Sequence, residues 1–366
     1  MSNTDYLSVG IKQAFIRLIT KHTGLEIRER DQVTLSEKIF LRMKALQLSF
    51  PEDYYQLLES PTFQSHQEWQ KLVVLITNLE SYFFRDKEQL NMLRTHLLPE
   101  LINRKKNHKS IRICSAGCST GEEPYSLAIL LKELLPDLEE WNLLILGIDI
   151  NQEALQKAKE GIYRPWSFRN TSAVIKKRYF QLINNQYHLA PPIKQMLTFQ
   201  SLNLVKEPFP QPNSELKDFD LILCRNVFIY FEASAIAKVL DKFYHALQPL
   251  GYLITGHAEL YGQKLSQFQT KVFPESLVYQ RQVDNLVDAP LLYLPREQNN
   301  HSGEYSSLEV NDITLESALE DNNFKMQHAA INLLKQLPPD TKIPKLGNLT
   351  AAELIQQVET TLKLSE

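Results

Sequence analysis

From Ile111 onward the chain alternates short apolar runs with helix-like stretches, and no other feature of its 366 residues restricts the fold as much. The runs are IRICS, LLILGIDI, LTFQSLNL, DLILCRN and GYLITGH, with EEPYSLAILLKELL, NQEALQKAKEG and SAIAKVLDKFYHAL between most of them. Such alternation predicts a parallel sheet with helices on both faces. In folds of that kind a ligand lies at the carboxyl ends of the strands. The polar residues directly after each apolar run are therefore the candidate site.

The flanking regions read differently. Residues 1–76 hold little glycine and carry helical spacing in YLSVGIKQAFIRLITKHTG, TLSEKIFLRMKALQLS and QEWQKLVVLITNL. Gly24 is placed to stop the first helix, and SFPEDYYQLLES offers Ser49 as a cap with Pro51 in the first turn. This predicts an all-helical N-terminal domain followed by an α/β domain over 77–283. RYFQLINNQYHLAPPIKQMLTF interrupts the alternation with an Asn184-Asn185 turn, and predicts an inserted β-hairpin over about 178–200. Residues 284–310 are polar and aperiodic, a linker, and 311–366 return to helix patterns as a C-terminal extension.

The first apolar run ends in SAGCSTGEEPYS, a strand, glycine turn and helix start. Gly117 and Gly121 let backbone approach a ligand closely. A helix amino end favours an anion, but Glu122 and Glu123 stand where a diphosphate would sit. A ligand carrying both a carboxylate and an ammonium suits the loop, since amides take the one and a glutamate the other. Asp149, ending LLILGIDI about thirty residues on, fits the two hydroxyls of a ribose. S-adenosylmethionine combines these parts without a phosphate. NAD competes, yet its Gly-x-Gly-x-x-Gly fingerprint matches this loop poorly.

Further groups fall at the later strand ends. SLNL, Ser201 to Leu204, sets a polar residue before an apolar one, as an adenine edge and face would need. LILCRNVFIYF brings Arg225, Asn226 and Tyr230 to one strand end. Upstream, Tyr82, Phe83, Phe84 and Arg85 fit either a core helix start or a clamp over a ligand. A net charge of −3 excludes a global polyanion binder such as a nucleic-acid protein. Three cysteines, Cys114, Cys118 and Cys224, are too few for a disulfide framework; they read as packing residues of a reduced, cytoplasmic protein with no metal site. The start lacks a signal-peptide pattern, and no apolar run approaches the ~20 residues of a membrane span.

ESYFFRD, SAGCSTGEEPYSLA, KEGIYR and LILCRNVFIYF, in that order, resemble the CheR family of chemotaxis receptor methyltransferases, with weaker support from SFPEDYYQLLES and GHAEL. The likeness runs from about Ile11 to Arg281. It implies a seven-stranded, Rossmann-like methyltransferase sheet with one antiparallel strand. It implies methyl transfer from S-adenosylmethionine to receptor glutamates, giving methyl esters. It also implies that Ser81 and Arg85 border cofactor and substrate, that Gly117, Glu123, Asp149, Asn203, Leu204, Arg225 and Asn226 contact the cofactor, and that Tyr230 lies beside the transferred methyl.

This chain departs from the family at Leu79 and Ser81, where many members carry asparagine and threonine; an amide lost at 79 removes a hydrogen bond worth roughly 0.5–1.5 kcal/mol, which Asn78 is placed to replace. LINNQYHL resembles members that do not tether to a receptor's carboxyl-terminal peptide. A glutamate, with pKa near 4.3, is already ionised at neutral pH, so no general base is needed. Arg85 and Tyr230 are then the candidates for orienting carboxylates. Lys38, Arg42 and Lys44 form a candidate basic helix face for an acidic coiled-coil receptor, with Lys38 and Arg42 four residues apart. The alternatives are a cofactor-binding regulator without transfer and a methyltransferase with a non-receptor target.

Overall fold

The computed structural model of the protein describes residues 7–211 and 214–282, with the short pieces 342–343, 349–350 and 352–356. Four helices come first: α1 (Val9–Thr23), α2 (Gln32–Ala45), α3 (Pro51–Glu59) and α4 (Phe63–Ile76). Their apolar faces close on a core of Phe15, Ile19, Leu35, Ile39, Tyr54, Trp69 and Leu72. Gly24 ends α1 in the left-handed conformation, φ 79°, with its N–H on the Thr20 carbonyl. A side chain at this position would stand 2.6 Å from Val205 Cγ2, so the glycine also lets α1 abut the sheet domain. One expectation fails here: Phe50, not Ser49, holds the cap position of α3 and makes no side-chain cap bond, leaving Pro51 to start the helix.

Helices α5 (Lys87–Met92) and α6 (Leu98–Lys105) lead into a seven-stranded sheet. Its strands are β1 (Ser110–Ala116), β2 (Asn142–Asp149), β6 (Leu197–Ser201), β7 (Phe219–Cys224), β8 (Leu247–Thr255), β9 (Phe268–Phe273) and β10 (Ser276–Arg281), in the order β6-β2-β1-β7-β8-β10-β9. The first five run parallel, and β10 is antiparallel to both its neighbours. The central strand β7 is buried at all six positions, because helices cover both faces. On one face Ile113, Leu221 and Leu223 pack with α7 (Glu122–Leu134). On the other, Cys114, Ile222 and Cys224 pack with α11 (Ala233–Ala246). Crossing from β1 through α7 to β2, and placing β7 on the other side of β1, opens a crevice above the β1 and β7 carboxyl ends. Burial raises the thiol pKa of Cys114, Cys118 and Cys224, which remain packing groups.

The insertion is larger than a hairpin. Strands β4 (Phe180–Ile183) and β5 (Gln186–Leu189) meet at Asn184 and Asn185, both with positive φ, as a two-residue turn requires. A third strand, β3 (Ile162–Tyr163), joins them from the KEGIYR stretch after α8 (Gln152–Glu160). Short helices α9 (Ala173–Tyr179) and α10 (Pro191–Lys194) flank the hairpin, and β6 returns to the main sheet inside the expected limits of the insertion. The expected linker at 284–310 lies outside the described residues. Of the C-terminal extension, where helix patterns are expected, Lys342–Ile343 pairs antiparallel with Leu349–Thr350. A helical stretch at 352–356 follows, with Thr350 and Glu353 forming a capping box.

Candidate active site

A cavity of about 370 Å³ lies over the carboxyl ends of β1, β2 and β7 and the residues after β6, within the size range of small-molecule pockets. Glu123, Asp149, Arg225 and Asn226 line it at the strand ends, with Gly117, Asn203 and Leu204 beside them. Ser81, Arg85 and Tyr230 complete the predicted set in the lining. The predicted residues, up to 149 apart in sequence (Ser81 to Tyr230), thus share one space.

The two adjacent glutamates part company. Glu122 is 2% exposed; its carboxylate takes Thr120 Oγ1 at 2.6 Å and Ser167 Oγ at 3.1 Å, away from the cavity. Glu123 faces the cavity, with Ser115 Oγ on Oε1 at 2.7 Å and Arg225 Nη1 on Oε2 at 3.1 Å. A carboxylate accepts about four hydrogen bonds, so Glu123 retains capacity for an ammonium.

Arg225 is nearly fully buried and its guanidinium is committed within the protein. Nε donates to Gln89 Oε1 at 2.6 Å and Nη2 to the Arg85 carbonyl at 2.8 Å. Asp86 stands 3.8 Å from Nη2 and is also bound by His257 Nε2 at 2.8 Å. Asp149 is held by the Ser119 and Asn151 amides, each at 2.8 Å; burial raises its pKa, against the pull of those amides.

The glycine loop corrects one expectation. The amides of Gly117 and Cys118 donate to the Ile148 carbonyl, Ser119 to Asp149, and Gly121 to the Cys118 carbonyl. They are not free for a carboxylate. Gly117 answers a packing demand instead: φ is 72°, and a Cβ would sit 2.4 Å from Val227 Cγ2. A ligand carboxylate must then find a side-chain cation, and Arg85 lines the cavity with one described donation, to the Glu80 carbonyl at 2.9 Å. Asn203 likewise spends its side chain within the protein, on the His22 carbonyl and the Val205 and Lys206 amides.

The aromatic run divides between its two readings. Phe83 is fully buried in the core, while Tyr82 lines the cavity beneath Arg169, whose Cζ is 3.4 Å from the ring centroid. Asn78 lies where an amide is lost at Leu79: its Nδ2 donates to the Tyr230 hydroxyl at 2.9 Å, and its Oδ1 accepts from Glu80 N. The basic face is also corrected. Arg42 forms a two-pronged pair with buried Glu68 at 2.7 and 2.9 Å, joined by Tyr54 Oη, and its charge is spent inside the helical domain. Lys38 lines the cavity and Lys44 is exposed.

Sequence reasoning missed the roof. Residues from Thr23 to Lys38 line the cavity from the helical side. They are strapped to the Tyr230 loop through Glu26 N on the Tyr230 carbonyl, Glu232 N on the Gly24 carbonyl and Arg28 Nη2 on the Ile229 carbonyl. Nothing in the local pattern of α1 or α2 signals a cavity wall. Gln89, His257 and Glu259 were missed too, although GHAEL marked the last two. Among the described residues no helix is long and apolar enough to cross a membrane.

The family model described as CheR methyltransferase, SAM binding domain, matches residues 79–275. A chemotaxis protein methyltransferase of Borreliella burgdorferi is 32% identical over 248 residues, covering 67% of this chain and 86% of that protein. Chemotaxis protein methyltransferase 2 of Vibrio cholerae is 32% identical over 259 residues, covering 70% and 88%. The chemotaxis protein methyltransferase of Escherichia coli is 31% identical over 248 residues, covering 66% and 82%.

Proposed function

The chain belongs to the CheR family of S-adenosylmethionine-dependent methyltransferases, and from that membership we propose that its cavity delivers a methyl group to glutamate side chains of chemoreceptors in the cytoplasm, as methyl esters. One observation carries the reading: the amides of Gly117, Cys118, Ser119 and Gly121 are internally bonded, while Glu123 and Asp149 face the cavity with acceptor capacity left. That donor set suits a phosphate-free nucleoside bearing an amino acid. Glu123, braced by Arg225 and Ser115, takes the ammonium; Asp149 takes the ribose hydroxyls; Leu204 and the backbone around Asn203 wall the base. Arg85 takes the carboxylate.

When bound, the cofactor would supply an electrophilic methyl for a receptor carboxylate oxygen, carried on a sulfonium that leaves as a neutral thioether. Nothing has to remove a proton, since the glutamate is ionised at neutral pH. The protein's task is alignment and exclusion of water. Tyr230 serves the first: its hydroxyl accepts from Asn78, which leaves its own hydrogen for the receptor carboxylate. The helical roof serves the second. Lys38 and Lys44 guide the acidic receptor helix, and the two-residue hairpin turn holds no receptor tail tightly.

The test is transfer of tritiated methyl from the cofactor to receptor-containing membranes, with the label released as methanol by alkali. Label that resists alkali, or no label, overturns the ester reading. Micromolar or tighter calorimetric binding of a receptor tail peptide overturns the untethered part.

A further inference from the structure

Glu259 lies in the GHAEL stretch, which the proposed mechanism does not use. It is 7% exposed and carries no side-chain cation within the described hydrogen bonds. Its carboxylate instead gathers three backbone amides from two loops. Oε2 accepts from Gly256 N at 2.5 Å and Asn226 N at 3.1 Å, and Oε1 accepts from Ile229 N at 3.3 Å. A Cβ on residue 256 would stand 2.8 Å from that same Oε2, so the glycine is what admits the carboxylate. Asn226 is held at φ 59°, a conformation that costs a non-glycine residue energy unless its surroundings enforce it. Both clamped residues adjoin the cavity: Asn226 lines it, and Ile229 precedes Tyr230.

We infer that Glu259 is a positioning residue that sets the backbone of Asn226 to Tyr230 from below, and so aims the Tyr230 hydroxyl for the methyl transfer; this rests on the proposed function. Only an acceptor with two oxygens and no hydrogens satisfies three N–H donors at once. The roof holds the same loop from the other side, through Glu26 N on the Tyr230 carbonyl and Arg28 on the Ile229 carbonyl. Tyr230 is therefore fixed between an acceptor beneath and donors above.

The test compares full-length wild type, Glu259→Gln, Tyr230→Phe and the double variant. In Glu259→Gln an NH₂ group meets a backbone donor, and the loop shifts. We expect kcat on a chemoreceptor cytoplasmic fragment to fall roughly 10- to 100-fold, as a small misplacement of a reacting group does. The calorimetric Kd for S-adenosylhomocysteine should change by less than about threefold, because most cofactor contacts lie on other loops. The double variant should be no slower than the slower single variant. Hydrogen exchange across residues 224–231 should quicken. Additive losses, a Kd that weakens in step with kcat, or unchanged exchange would each overturn the assignment. Should Glu259→Gln not fold, Glu259→Asp keeps an acceptor-only group and is read by the same measurements. If wild type methylates nothing, the proposed function fails, while exchange across 224–231 still decides whether Glu259 holds the loop.

Discussion

Two buried arginine–glutamate pairs serve opposite ends. At the sheet end, Arg225 and Glu123 approach to 3.1 Å, with side chains 2% and 18% exposed. In the helical region, Arg42 and Glu68 approach to 2.7 Å, with side chains 15% and 3% exposed. The difference lies in which partner keeps a face toward space. Glu68 is closed in by Arg42 and the Tyr54 hydroxyl, so that pair holds the helices together. Glu123 opens onto the cavity with acceptor capacity left, so that pair holds a site. An ion pair becomes functional through the lone pairs it leaves over, not through its own strength.

Breaking each pair separates the two roles. Arg225→Met leaves Glu123 and Gln89 without their buried partner; a cost of about 3–5 kcal/mol in urea unfolding is expected, with turnover lost altogether. Arg85→Ala leaves both pairs in place, since Arg225 binds only the backbone carbonyl of residue 85, and should lower turnover at least ~100-fold, equivalent to about 2.7 kcal/mol, with the melting temperature unchanged. Near-normal transfer would remove Arg85 from the mechanism. Arg42→Met should cost a similar ~3–5 kcal/mol of stability, yet leave the turnover of the folded fraction within about threefold. Adding Glu68→Leu should restore most of that stability, and failure to do so would mean the pair does more than fill a core.

Two milder changes probe the roof. Reversing Lys38 and Lys44 to glutamate should reduce kcat/KM on receptor membranes by roughly tenfold at low salt, with the S-adenosylhomocysteine Kd unmoved. Salt-insensitive kinetics would argue against guidance by charge. The smallest effect concerns His22, whose ring stacks on Trp69 at 3.6 Å. Burial first, then Lys206 and His66, push its pKa down to about 3 from 6.5. The unfolded chain takes up that proton first, so the stability His22 contributes is complete above pH 6.5 and declines as pH falls toward 3. His22→Gln should flatten the fall in urea midpoint between pH 7 and 5, and an unchanged slope would remove His22 as its source.

Much of the floor was legible because it is local. A strand followed by SAGCSTGEE places Gly117 and Glu123 at a strand end whatever surrounds them, and LILCRN does the same for Arg225 and Asn226. The family resemblance singled out Glu123 as a cofactor contact, but the partners of Glu122 and Glu123 were not legible. Arg42 was misread because α-helical spacing shows which residues share a face with Lys38, not that a glutamate 26 residues later waits opposite. The extra strand β3 was missed because two residues, Ile162 and Tyr163, carry no periodicity of their own.

By itself the sequence determined the alternation that makes a parallel sheet, and so the edge where chemistry collects, because burial of β7 on both faces demands an unbroken apolar run, Leu221 to Cys224, up to its carboxyl end. It also determined the charge character of the loop after β1. The tertiary structure decided which of those groups remain available. The Gly117, Cys118 and Ser119 amides, the Arg225 guanidinium and Asn203 Nδ2 are spent on partners distant in sequence. Glu259 grips a loop 30 residues away, and α1 and α2 close a cavity their own pattern does not announce. Hydrogen-bond saturation depends on what the folded chain brings within 3 Å, and separation along the chain carries no such information.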